Sequence, residues 1–149
     1  MEEIDLCWRL KRAGFKVMYY PDAEVFHVGG GTLNYQSPNK TYLNFRNSYF
    51  TIIKNERKRK LLWLIPLRLI LDGVAGMMFL LKGQIQHVKA IIKAHWHFFP
   101  KIKHLLERRK HFSELVQKIS IGKSNRNGIV QKSVIWRYYV RRKKTFKNL

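Results

Sequence analysis

Three carboxylates, Glu2, Glu3 and Asp5, crowd the first five residues. That pattern supports two chemistries. Acids at the start of a helix meet its unpaired N–H groups and the positive end of its dipole. Crowded acids also push each other's proton affinities apart, which suits one to act as a general base and another to support it. His27 closes an apolar run and precedes Gly29-Gly30-Gly31. Strand ends of this kind hold site residues, and ordinary structural histidines as well. Farther along, Arg68 and Asp72 stand four residues apart inside an otherwise apolar stretch. His87, His95, His97, His104 and His111 have no acidic or cysteine partner at a metal-ligand spacing, so no zinc site is expected from them. The single Cys7 excludes an internal disulfide framework and a cysteine-based zinc site.

These residues need elements to hold them. Residues 5–13 predict a short helix with Leu6, Leu10 and Ala13 on one face, and Gly14 stands where a C-terminal cap glycine belongs. Residues 16–20 and 24–28 predict two short strands separated by Pro21-Asp22. The triple glycine then lets backbone approach a ligand or turn tightly. Residues 41–54 predict a helix with Tyr42, Phe45, Tyr49 and Ile52 or Ile53 on one side. Helical periodicity continues over 85–111, where Val88, Ile91 and Ile92 are interleaved with Lys89 and Lys93, and Trp96, Phe98 and Phe99 precede Pro100. Residues 113–149 read as a basic tail, turn-rich at 122–128.

The 149 residues carry a formal charge of +21, which points to a polyanionic partner, either an anionic membrane or nucleic acid. A hydrophobic fraction of 46% is ordinary for packed structure and argues against global disorder. Acids directly after Met1 are the wrong chemistry for an export leader. The charge is unevenly divided. Residues 1–53 hold six basic and five acidic groups, whereas 54–149 hold 24 and 4. The first part alone is too small to bury a core, and its opening inside an acidic motif suggests the end of a larger sheet domain.

Taken in order, Glu2-Glu3-Ile4-Asp5-Leu6-Cys7-Trp8-Arg9-Leu10, Ala13-Gly14-Phe15, Tyr20-Pro21, His27-Val28-Gly29-Gly30-Gly31-Thr32 and Lys40-Thr41-Tyr42-Leu43-Asn44-Phe45-Arg46-Asn47 resemble the C-terminal part of the catalytic domain of family 2 glycosyltransferases, in the rhamnosyltransferase-like bacterial branch. The resemblance covers roughly the first 55 residues. It implies a GT-A fold and transfer of a sugar, with inversion, from a nucleotide-sugar donor to an acceptor hydroxyl on a glycan or a lipid-linked carrier. It implies that Glu3 matches the general base, a Glu where Asp is commoner, with Asp5 beside it and Glu2 and Arg9 in support. It implies that His27 helps hold a divalent metal, Mg or Mn. The sequence contains no Asp-x-Asp, the family's donor and metal motif. The expectation is therefore an acceptor-side portion that does not transfer sugar alone.

The expected fold is an α/β remnant, the C-terminal portion of a GT-A domain, over residues 1–55. A basic, apolar, mostly α segment follows at 56–111, then the tail at 112–149. Lys54, Arg57, Lys58, Arg59 and Lys60 form a basic run ahead of the apolar residues 61–81. Together with Arg68 they are the expected membrane-binding groups. Twenty-one residues fit a membrane span in length. Two embedded charges count against it, at roughly 2.5–3.5 kcal/mol each near the bilayer centre. An amphipathic helix lying in the interface, or packed on the catalytic domain, fits better than a simple span. The implied location is the cytoplasmic face of the bacterial inner membrane. A basic module for nucleic acid is the alternative, and it leaves both the acidic motif and the apolar stretch without a role.

Overall fold

The computed structural model describes residues 2–26, 37–128, 137–138, 141–142 and 145. Five α-helices account for most of them: α1 (Glu2–Arg12), α2 (Pro38–Asn55), α3 (Lys58–Leu81), α4 (Ile85–Phe98) and α5 (Ile102–Lys118). No strand occurs among the described residues. This corrects the expected α/β remnant of a GT-A domain: the described chain is all-α. Residues 16–20 do have the composition of a strand, but a strand is stabilised by cross-strand pairing rather than by propensity. Among the described residues nothing pairs with it. Met18, Tyr19, Val25 and Phe26 are exposed, and the Pro21 region contributes a turn in which Ala23 N–H donates to Tyr20 O. His27, Val28 and the triple glycine lie outside the described residues.

Local chemistry sets the helix ends. The three acids of α1 fill its first turn and Arg9, Lys11 and Arg12 its last, matching the dipole at both ends. Gly14 adopts φ +95°, and the N–H groups of Gly14 and Phe15 donate back to Lys11 O and Leu10 O, a Schellman ending. Helix α2 starts at Pro38, earlier than its apolar pattern suggests, because Ser37 accepts a hydrogen bond from Asn39 N–H and Pro38 occupies the first helical turn. The break at Glu56 and Arg57 divides the basic run between the end of α2 and the start of α3. Pro66 sits inside α3. Pro100, within a single 3-10 turn (Phe99–Lys101), separates α4 from α5.

Helix α2 is the central element, packed against α4 and α5, with α3 laid against α4. The core is compact: Tyr49 and Ile53 of α2, Phe98 of α4 and Leu105 of α5, flanked by Phe50, Ile65, Leu69 and Ile102. Tyr49 and Phe98 stack with ring centroids 4.4 Å apart. The tail returns to α1, where Ile121 N–H donates to Ala13 O and Asn125 N–H to Lys11 O.

Candidate functional site

The carboxylates of α1 do not converge. Glu3 and Asp5, two apart on the helix, project about 200° from each other; Glu2 and Glu3 are exposed and Asp5 is buried. Asp5 is saturated by neighbours. Arg9 lies 3.2 Å from Oδ2, Lys54 lies 3.5 Å from the same oxygen, and Asn55 Nδ2 donates to Oδ1 at 2.6 Å. Arg9 therefore supports Asp5, and Lys54 is drawn away from the solvent-facing basic run. The Arg9 guanidinium also sits over the Phe112 ring, 4.9 Å from its centroid. Asn55 anchors this corner by a second bond, from Nδ2 to Thr51 O. The arrangement ties α1 to the end of α2 and to α5. A carboxylate already matched by two cations and an amide is a poor fit for a divalent metal. Among the described residues no group of three His, Cys, Asp or Glu side chains converges.

A second buried carboxylate, Asp72, lies under α3 at 2% exposure. Tyr49 Oη donates to Oδ2 at 2.8 Å, and His95 Nε2 lies 3.0 Å from the same oxygen. Arg68 Nε stands 2.9 Å from Oδ1, close enough for an ion pair but off the line of a hydrogen bond. Burial, then the hydrogen bond to Asp72 and its charge, push the Tyr49 phenol well above its ordinary range, with Arg68 opposing. Tyr49 is thus held as a donor. The i,i+4 spacing of Arg68 and Asp72 is visible in sequence. Tyr49 and His95 are not, because each lies 23 residues from Asp72 and on another helix.

This cluster determines what α3 presents outward. Residues 61, 64, 65, 68, 69, 72, 75, 76 and 79 are buried or half-buried and follow a helical stripe facing the other helices. Both charges within the apolar stretch belong to that stripe. The opposite side is exposed and carries no charge from residue 61 to 81. Leu62, Trp63, Ile70, Val74, Met77 and Leu81 are each more than half exposed. Helix α3 has a mean hydropathy of 1.9 over its most apolar window, only 11% of which is buried. At its start, Arg57, Lys58, Arg59 and Lys60 are exposed, with Lys60 3.8 Å from Glu56.

A third feature, not visible in the sequence, is a cleft of about 990 Å³ between α1, the end of α2, α5 and residues 120–126. Lys11, Arg12, Arg57, Lys60 and Arg126 line it, against one acid, Glu56. No family model matches the chain, and neither a curated protein nor a solved structure matches it.

Proposed function

We propose that this chain is a membrane-docking, acceptor-side part of a family 2 glycosyltransferase, working on the cytoplasmic face of a bacterial inner membrane. The observation that carries the docking is the uncharged, exposed face of α3. A contiguous apolar surface of this kind marks a partner or membrane site. Helix α3 is about 36 Å long at 1.5 Å per residue, enough to cross a hydrocarbon core. Its packing favours lying flat. The inner stripe is covered by α2 and α4, which carry Lys40, Arg46, Lys89 and Lys93. An upright α3 would carry those charges into hydrocarbon, whereas a flat α3 leaves them in water.

The energetics follow the same division. Arg57, Lys58, Arg59 and Lys60 meet anionic headgroups, at about 1 kcal/mol each. Lys54, engaged by Asp5, contributes less. The outward side chains of α3 then insert, at roughly 25 cal/mol per Å² of apolar area buried. Docking of this kind holds an enzyme beside a lipid-linked acceptor. The glycosyltransferase part of the proposal rests on the ordered motifs of residues 1–55. Glu3, which is exposed, is the residue that the resemblance matches to the base taking the acceptor hydroxyl proton. The buried Asp5 holds α1 in place.

Vesicle co-sedimentation of the full chain tests the docking. Anionic vesicles should bind it more tightly than neutral ones, and added salt should weaken the binding without abolishing it, because salt screens charge but not apolar insertion. Complete release at high salt would reject insertion of α3. Tight binding to nucleic acid with none to lipid would replace the reading with a nucleic-acid module.

A further inference from the structure

The basic cleft is distinct from the apolar face of α3 and from the acids of α1, although Arg57 and Lys60 of the basic run line it, and we propose that it binds a multiply charged phosphate group, a diphosphate or a phosphomonoester. Its cations come from three parts of the chain: Lys11 and Arg12 from α1, Arg57 and Lys60 from the start of α3, and Arg126 from the returning tail, with Lys11 Nζ also donating to Asn127 O and Lys60 3.8 Å from Glu56. A single carboxylate, Glu56, opposes them. Several cations around one concavity match a group with many acceptor oxygens better than they match a carboxylate.

The walls are built rather than draped. The returning tail is fastened by Ile121 N–H to Ala13 O at 3.0 Å and by Asn125 N–H to Lys11 O at 2.8 Å. Asn125 Nδ2 also donates to Phe15 O at 3.1 Å. On the other wall, Arg12 donates to Lys54 O at 3.4 Å. Arg57, at the N-cap of α3, is exposed and lines the cleft. Trp8 and Val116 add apolar lining beside the cations. The volume lies within the range of small-ligand sites, about 300–1,000 Å³.

Two sources supply this chemistry, a soluble phosphate ester and a lipid headgroup. The cleft opens at the start of α3, where the basic run meets the membrane in the docking reading. Binding of a soluble phosphate does not depend on that reading, so the two fail separately.

The test is calorimetric titration of the full chain with inorganic pyrophosphate at low salt. Binding should be detectable, and the double variant Lys11→Gln/Arg126→Gln should weaken it at least tenfold, since each charge-assisted contact is worth about a factor of ten. Lys89→Gln/Lys93→Gln removes the same charge from α4 and should leave it within about twofold. No pyrophosphate binding by the wild-type chain overturns the proposal, as does equal weakening by the two double variants. Circular dichroism confirms that each variant keeps its helices. Competition then separates the sources. Displacement of pyrophosphate by a short-chain monomeric phosphatidic acid assigns a lipid-borne phosphate. Retention in its presence assigns a soluble one. Either result keeps the site.

Discussion

Replacing Asp72 by Leu separates an α3 whose charges face protein from an α3 whose charges face lipid. In the structure Asp72 is 2% exposed and meets Tyr49, His95 and Arg68. Removing the carboxylate leaves the fully buried Tyr49 hydroxyl with one weak contact, to His95 at 3.4 Å. An unmatched buried donor of this kind costs about 1–3 kcal/mol. The same change strips Arg68 of its counter-ion. Breaking a fully buried pair costs about 3–5 kcal/mol, but the Arg68 side chain is 32% exposed, so water recovers part of that. The combined loss is about 3 kcal/mol, a large share of the roughly 5–15 kcal/mol that stabilises a domain. Urea unfolding followed by circular dichroism reads it as a midpoint shift of about 1–3 M, for slopes of about 1–3 kcal/mol per M. Arg68→Leu/Asp72→Leu should recover part of the loss, because an apolar pair replaces a buried ion pair at little cost. A lipid-facing Asp72 gives the opposite sign: Asp72→Leu would leave stability unchanged or raised and would strengthen vesicle binding. That outcome would refute the packing argument.

Four further changes have defined outcomes. Tyr49→Phe should cost about 1.5–3 kcal/mol at neutral pH, the worth of a hydrogen bond to a charged group. The folded phenol is held above its ordinary value of 10.0, so its stabilisation is complete below that pH and is lost as pH rises beyond it. The gap between wild type and Tyr49→Phe should therefore narrow in urea titrations above about pH 10. Gly14→Ala should lower stability by about 1–2 kcal/mol in the same assay, because φ is +95° and an added Cβ would lie 3.2 Å from Gly122 N. Asp5→Asn should cost about 1–2 kcal/mol by releasing the partly exposed Arg9 and Lys54, while Glu3→Gln should change stability by about 0.5 kcal/mol or less. In an active glycosyltransferase carrying this segment, Glu3→Gln should lower the transfer rate ~10²–10⁴-fold with donor binding retained. Loss of transfer in a folded Asp5→Asn variant, with Glu3→Gln unaffected, would move the base to Asp5.

Much of the helical architecture is written in local signals. Ala13-Gly14 marks the end of α1, and the apolar stretch after the basic run marks α3. Pro100 interrupts the periodicity that residues 85–111 otherwise carry, and α4 and α5 part there. Helix α2 begins before its apolar pattern does, because its start is set by Ser37 and Pro38 rather than by burial. The strands failed for a different reason. Alternation and β-branched residues describe a surface suited to a sheet, and among the described residues no neighbouring strand supplies the ladder. In the site, residue types were legible and their directions less so. Glu3 and Asp5 look like one cluster in sequence, yet helical geometry sends them to opposite sides. Arg68 and Asp72 read as penalties on a membrane helix until Tyr49 and His95, brought in from α2 and α4, supply an interior for them. The basic cleft combines four distant segments, and no spacing pattern encodes it.

Site-specific fluorescence measures directly which side of α3 touches lipid. In a Cys7→Ser background, single cysteines at Ile70, Val74 and Met77 label the exposed side, and those at Leu69 and Ala75 label the packed side. Each carries an environment-sensitive fluorophore and is mixed with anionic vesicles containing spin-labelled lipid. The three outer positions should shift to the blue and be quenched at one shared shallow depth, with the two inner positions unaffected by lipid. Quenching at progressively deeper levels from residue 70 to 77, on every side of the helix, would mean a span instead of a flat helix. No quenching at the outer positions would contradict membrane docking by α3 outright.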